Sequence, residues 1–137
     1  MAHKIEKIEL DFLTIDDYQE LKQAMIIAYQ AIPNPYWEEH QIQSLLTKFP
    51  EGQIAIKADG HIAGCALSII IDHEQFEELH TYKRITGNYT FNTHSKKGDT
   101  LYGIDVFIKP EFRGLRLGRR LYDYRKELCE KTQSKRN

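Results

Sequence analysis

The sequence predicts a single α/β (α+β) domain over residues 1–137, a mixed β-sheet flanked by helices in the order β-α-α-β-β-(α)-β-α. Three observations carry that prediction. Segments whose apolar residues recur at helical spacing alternate with β-rich runs. One junction, Asp59-Gly60, is a residue pair that a tight hairpin turn prefers. Near the end of the chain an almost wholly apolar run, LYGIDVFI, passes straight into the glycine- and arginine-rich stretch KPEFRGLRLGRR.

The elements follow in order. Ile5 to Leu13 alternates at first as a strand does. Thr14 or Asp16 can cap the helix that follows, on which Tyr18, Leu21, Met25 and Ala28 share a face, and the prolines of AIPNPYW end it. EEHQIQSLLTKF sets Ile42, Leu45, Leu46 and Phe49 along one side of a second helix, closed by Pro50. GQIAIKADGHIAGCALSIII reads as a hairpin about Asp59-Gly60, which suit a type I′ turn. Asp72 and Gln75 have the spacing of a capping box for a short helix through HEQFEELHTY. The polar stretch from Lys83 to Thr100 is long for a structureless connection. It therefore contains a strand at NYTFNT, forms a rim over a groove, or is disordered around HSKKGD. Leu101 to Ile108 is apolar at both parities, the pattern of a central strand covered on both faces. Asp105 is its exception, and a carboxylate there must be hydrogen-bonded, paired or near water. Leu117, Leu121, Tyr124 and Leu128 then mark the face of a last helix.

Composition narrows the function. At 137 residues, 41% apolar and 28% charged, the chain is one ordinary globular domain with enough length for a core. No apolar run approaches the roughly 20 residues that span a bilayer, and MAHKIEKIEL lacks a signal core, so the expectation is a cytoplasmic protein. Cys65 and Cys129 fit no metal or redox spacing and read as buried thiols. The six histidines show no HxH, HxxxH or HExxH spacing, so no metal is expected. The net charge of -1 hides an asymmetry: nine Lys/Arg against three acids from Arg113 onward leave that end at +6 and the remainder at -7. A basic end suits an anionic partner, either a phosphate-bearing cofactor or nucleic acid. Asp123, Glu127 and Glu130 interrupt the charge and no nucleic-acid motif is present, so nucleic acid is the weaker alternative.

Strand, glycine-containing turn and helix start together form a device for binding phosphate. The first amides of a helix are unpaired and its dipole favours an anion there. Gly114 and Gly118 let the backbone turn and approach a ligand, while Arg113, Arg116, Arg119 and Arg120 add positive charge that can reach phosphate oxygens. On these residues, FIKPEFRGLRLGRRLYDYRKELC resembles the acetyl-coenzyme A signature of the GNAT N-acetyltransferase superfamily. There a strand leads through Arg/Gln-x-x-Gly-x-Gly/Ala into a helix whose amides hold the cofactor pyrophosphate. Thr86 to Glu130 is similar, more specifically, to the GNAT domain that precedes a carbon–nitrogen hydrolase domain in two-domain bacterial proteins. Arg116 stands where the motif's middle glycine belongs. A complete GNAT fold continues beyond this helix with further strands, so the resemblance implies the N-terminal portion of such a domain.

What the resemblance implies is acetyl transfer from acetyl-coenzyme A to an amine acceptor. The cofactor would lie against Val106, Phe107, Ile108, Arg113, Gly114, Leu115, Arg116, Leu117, Gly118 and Arg119, with a backbone N–H of Val106 to Ile108 facing the oxyanion. Asp105 is the candidate base, acting through a water. Tyr122 and Tyr124 are candidate acids, although Tyr124 lies on the apolar face. His94, in the polar rim, either touches the acceptor or is a solvated loop residue. The alternative is a GNAT-like domain that binds a ligand or partner without turnover. A strand lacking a neighbour would also invite a homodimer or contact with a downstream domain.

Overall fold

Four strands, β1 (Ile8–Phe12), β2 (Ile54–Ala58), β3 (His61–Ile71) and β4 (Thr100–Ile108), lie side by side in chain order in the computed structural model, which describes residues 5–72 and 90–132. Every pairing is antiparallel, so the sheet expected to be mixed is antiparallel throughout among the described residues. The β2–β3 turn is as the sequence predicts: Asp59 (φ 52°) and Gly60 (φ 84°) both take positive φ, the geometry that matches the twist of the flanking strands. The Asp59 carboxylate also accepts the N–H groups of Glu6 and Lys7, at 3.1 and 2.8 Å, and ties the segment before β1 to the turn.

Three helices cover the sheet: α1 (Tyr18–Ala28), α2 (Glu39–Lys48) and α3 (Leu117–Thr132). The chain enters α1 through a 3-10 turn in which the Asp17 carboxylate accepts the Thr14 N–H at 2.9 Å. At α2 the Gln41 side chain accepts the Glu38 N–H at 2.8 Å. Such caps satisfy amides that the helix cannot, each worth about 1 kcal/mol. α1 and α2 pack on one face of the sheet, where Leu21, Met25, Ile42 and Leu45 are fully buried against Cys65, Leu67 and Ile69. Each such side chain contributes about 1.5–3 kcal/mol. α3 covers the other face with Leu117 and Leu121 on Ile54, Ile56 and Ala66, and with Leu128 near Leu101.

Three expectations need correction. LYGIDVFI is not a central strand among the described residues, for β4 pairs only with β3 and Val106 is 45% exposed. Its apolar outer residues face α3 and open space instead of a second strand. Residues 90–99 contain no strand. They run as turns tied to β3 by the Ser95 N–H on the Ile70 carbonyl, at 2.8 Å, so the HSKKGD segment is ordered through residue 99. Phe91, at the start of this stretch, is fully buried with φ 62° and plugs the α2 side of the core. The short helix expected from Asp72 through Tyr82 falls almost wholly outside the described residues.

The β3–β4 ladder carries one irregularity that matters. Leu67 pairs with Asp105 but Ser68 pairs with Gly103, so Ile104 is an extra residue on β4. A bulge of this kind re-aims side chains. Here both Ile104 and Asp105 look toward α1 and the segment after it.

Candidate active site

At the C-terminal end of β4 the chain turns through Pro110–Phe112, a 3-10 segment, and reaches α3 by way of Gly114 (φ 87°) and Arg116 (φ 61°). Arg116 thus adopts the left-handed conformation that a glycine takes freely, at a cost of about 1–2 kcal/mol for a side chain with a Cβ. Arg113 folds back so that its Nε donates to the Ile108 carbonyl at 3.3 Å. A cleft of about 360 Å³ lies over this turn, lined by Ile108, Phe112, Arg113, Gly114, Arg116, Leu117, Gly118 and Arg119. Its floor is the start of α3. No acidic residue occupies the first turn of that helix, and a Cβ placed on Gly118 would meet nothing within 4 Å. The helix therefore presents unpaired amides and the positive end of its dipole to open space. An anion of pyrophosphate size fits this chemistry.

The sequence-nominated residues divide here. Arg113, Gly114, Arg116, Gly118 and Arg119 are exposed around the cleft, and Leu115 is 47% exposed beside it. The side chains of Phe107 and Leu117 are core, so those two residues can offer a ligand only their backbone. Among the described residues β4 has a strand neighbour on one side alone, and alternate amides along Val106 to Ile108 point away from β3.

Three residues back along β4, about 10 Å at the rise of a strand, Asp105 sits in a second cleft. Tyr29, Ile32, Asn34, Pro35, Tyr36, Trp37, Ile104 and Asp105 enclose about 550 Å³. The Tyr29 hydroxyl donates to Asp105 Oδ1 at 2.5 Å, and the Trp37 side chain also hydrogen-bonds the carboxylate. Burial pushes the Asp105 carboxyl above the usual carboxylate range, and the two donors only partly offset it. Burial, with Asp105 beside it, raises the Tyr29 phenol as well. Tyr29 closes the end of α1 and packs edge-on to Phe107 at 5.7 Å. Trp37 packs edge-on to Phe91 at 5.2 Å, and its carbonyl accepts the Tyr18 hydroxyl at 2.8 Å. The carboxylate is thus hydrogen-bonded and near solvent, as the sequence demanded.

Other candidates fall away from both clefts. His94 lines neither cleft and is half-buried: it stacks on Phe49 at 4.7 Å, and its Nδ1 accepts the Ile70 N–H at 3.0 Å. Tyr124 donates to the Glu51 carbonyl at 2.8 Å and fixes α3 to the turn before β2. Tyr122 is 55% exposed and lines a groove with Val106, Gly103 and Arg125. Cys65 is fully buried, which pushes its thiol well up and makes it inert. Among the described residues no group of His, Cys, Asp and Glu could hold a metal ion, and no helix is long and apolar enough to cross a membrane.

Sequence reasoning missed Tyr29 and Trp37. The available signal was the aromatic content of AYQAIPNPYW, three large rings in a segment that two prolines keep from folding into helix.

Comparison with known proteins follows this geometry. The family model described as Acetyltransferase (GNAT) family matches residues 16–136. "Probable hydrolase YhcX" of Bacillus subtilis (strain 168) is 34% identical over 95 residues, which cover 69% of this chain and 18% of that protein. "Uncharacterized N-acetyltransferase YkwB" of the same organism is 31% identical over 127 residues, 88% of this chain and 56% of that protein. The chain therefore spans about half or less of the length of these curated relatives. The match to a hydrolase over a small part of its length is in keeping with the two-domain resemblance. Among solved structures, the loading GNATL domain of CurA from Lyngbya majuscula aligns with a TM-score of 0.75 at 22% identity, covering 90% of this chain and 59% of that one. The GphF GNAT-like decarboxylase in complex with isobutyryl-CoA aligns with a TM-score of 0.65 at 16% identity, covering 85% and 56%. At such identities the structures share a fold.

Proposed function

The chain belongs to the acetyltransferase (GNAT) family, and from that premise we propose that it acts as an acetyl-coenzyme A-dependent N-acyltransferase domain with an amine as acceptor. The observation that carries this reading is the open start of α3: free space above Gly118, arginines around it and no acid in the first turn. That solved relatives of the fold hold acyl-coenzyme A supports a ligand of this kind. The two buried free thiols suit a cytoplasmic setting.

Bound there, acetyl-coenzyme A would supply a thioester carbonyl that an amine attacks as the C–S bond breaks, giving the acetamide and the free thiol. The backbone of Gly114 to Arg119 holds the pyrophosphate, and Arg113, Arg116 and Arg119 neutralise it. An outward amide of Val106 to Ile108 donates to the oxyanion, a preorganised contact of the type worth about 3–4 kcal/mol in other enzymes. Asp105 takes one proton from the ammonium form of the acceptor before attack. Its raised pKa makes it a stronger base than an ordinary carboxylate, and general bases contribute about 10²–10⁴-fold. The second amine proton goes to the departing sulfur. Tyr29 and Trp37 fix the carboxylate in place.

Calorimetry with coenzyme A tests the reading. We expect saturable binding that Arg113→Ala weakens and Gly118→Asp removes, with thiol release when acetyl-coenzyme A meets a panel of amines. Absence of coenzyme A binding in the wild-type chain would end the assignment.

A further inference from the structure

Arg125 of α3 is a half-buried cation laid on the bare backbone of β4. A Cβ on Gly103 would meet its Nη2, Cζ and Nη1 at 3.0, 3.4 and 3.4 Å, so the guanidinium fills the space that a side chain there would need. Among the described residues its Nε is buried without a hydrogen-bond partner. Burial pulls the group below its ordinary pKa, and the ionisable neighbour that acts the other way is the Cys129 thiol, not a carboxylate. The acids of its own helix are turned away: Asp123, Glu127 and Glu130 line a groove with Leu10 of β1. Asp105 of β4 is bonded to Tyr29 on the other face of the sheet. An unpaired charge so placed is costly unless an anion arrives. The guanidinium borders a groove of about 500 Å³ along β4, which Leu101, Val106 and Tyr122 line with apolar surface. The backbone there is unspent as well. Leu101 and Gly103 stand opposite Ile70 and Ser68. Those two residues bond away from β4, Ser68 to the Gln53 side chain at 2.7 and 2.9 Å and Ile70 to His94 and Ser95 at 3.0 and 2.8 Å. In such a pair both residues point their N–H and C=O groups outward, so Leu101 and Gly103 turn theirs toward the groove.

We propose that this groove is a binding site for a small organic carboxylate, its oxygens on Arg125 and the Gly103 amide and its apolar body against Val106 and Tyr122. A planar guanidinium fork matches a carboxylate in shape as well as charge. Glycine at position 103 is what lets that fork lie on the strand. A neutral amide of the same shape is rejected because it leaves the cation without a counter-ion, and inorganic phosphate is disfavoured because it has no body for the apolar walls. The site is independent of the transferase reading and stands whether or not the chain binds coenzyme A.

Nitrogen-15 spectra of the chain, following the Arg125 Nε–H and the Gly103 N–H, test the site. The titrants are benzoate and 3-phenylpropanoate at constant ionic strength without coenzyme A, against 3-phenylpropanamide as the neutral match and inorganic phosphate as the bare anion. Saturable shifts of both signals with at least one carboxylate are expected, with binding at least tenfold weaker for the amide and for phosphate. Arg125→Met should lose at least tenfold in affinity, read at Gly103, while its thermal midpoint stays level or rises because the unpaired charge is gone. Gly103→Ala, whose Cβ takes the place of the guanidinium, should lose severalfold. Arg125→Lys keeps the charge without the fork and should also lose severalfold, which covers either of the other variants failing to fold by far-UV spectroscopy. No saturable shift, equal response to carboxylate and amide, or undiminished binding in the folded variants overturns the proposal. Sedimentation of the ligand-free chain supplies the remaining arm. A dimer that perturbs the same two signals and takes no carboxylate would assign the groove to a second copy of the chain, and the proposal would fall.

Discussion

The two clefts on β4 are built by different physics. At Ile108 to Gly118 the groups proposed to hold a ligand are backbone amides, held by a turn and a helix start that lie within eleven consecutive residues. At Asp105 they are side chains, and the hydrogen bond that organises them joins residues 76 positions apart. A backbone site tolerates exchange of most side chains around it and fails only when something fills or recharges the space above the amides. A side-chain site fails when a single atom changes.

The largest effect that tests this contrast belongs to Gly118→Asp. The Gly118 backbone is not in the positive-φ region and its Cβ position is empty, so the new side chain enters without a clash. Replacing glycine inside a helix removes a penalty of about 0.5–1 kcal/mol, and an acid in the first turn adds about 0.3–1 kcal/mol. The fold should therefore be unharmed or slightly more stable. The carboxylate, however, would enter the space proposed for the pyrophosphate, and coenzyme A affinity should fall at least 100-fold by calorimetry. The hydrogen-bonded cluster at Asp105 should be untouched, so Trp37 fluorescence should match the parent. A change in that fluorescence would show that the two ends are not independent.

Next in size is Asp105→Asn. Turnover should drop by about 10²–10⁴-fold, the usual contribution of a general base, with coenzyme A affinity unchanged. The stability consequence has the opposite sign to the functional one. Because burial raises the folded-state pKa of Asp105 above its unfolded value of 3.8, the native state binds more protons than the unfolded state in the window above pH 3.8. Stability is then lost as pH rises through that window. Asp105→Asn should remove this loss, so denaturation curves at neutral pH should show the variant as stable as the parent or more so. A variant that is both inactive and less stable would mean that Asp105 serves packing.

The contrast also explains what the sequence made legible. The Asp59-Gly60 turn, the strand into Ile108 and the glycine loop into α3 are local: their signals are contiguous residues whose backbone preferences decide the structure. The Asp105 cleft depends on three non-local facts. A bulge at Ile104 turns Asp105 toward α1, Tyr29 must arrive at the end of that helix, and Trp37 must be pinned by Tyr18 and by Phe91 from the far side of the chain. None of these is a periodicity. Asp105 itself was conspicuous as the one charge in an apolar strand, but its partners were not. The place of LYGIDVFI at the end of the strand order is hidden for a related reason, since apolarity at both parities reports burial by α3 and the bulge as readily as burial between two strand neighbours.

A smaller effect is expected at Arg116, where the two kinds of recognition meet in one residue. Its left-handed backbone costs about 1–2 kcal/mol and its guanidinium adds charge at the loop. Arg116→Gly relieves the strain and loses some of the gain to the greater freedom of glycine when unfolded. A net change of about 0–1 kcal/mol toward stability is expected by denaturant titration, together with a severalfold loss of coenzyme A affinity that shrinks at high salt. Unchanged affinity would mean that the backbone alone makes the site.

The smallest effect probes the scaffold of the side-chain end. His94 Nδ1 accepts the Ile70 N–H, which requires the neutral ring. Burial lowers its pKa below 6.5, with Glu51 opposing and Lys96 and Lys48 reinforcing the shift. The unfolded state therefore takes up protons first as pH falls below 6.5, and stability present above that pH is lost toward the folded-state value. The turns that contain His94 also carry Phe91, the ring that holds Trp37, whereas the loop at Gly118 has no such tie. Mild acid should then loosen the Asp105 cleft before it weakens coenzyme A binding. His94→Gln, uncharged at every pH, should flatten the thermal midpoint between pH 6.5 and pH 5 and abolish the early change in Trp37 fluorescence. The hydrogen bond at stake is worth about 1 kcal/mol. If Trp37 fluorescence and coenzyme A binding change in parallel and the variant titrates like the parent, the acid response resides elsewhere and the side-chain end has no separate scaffold.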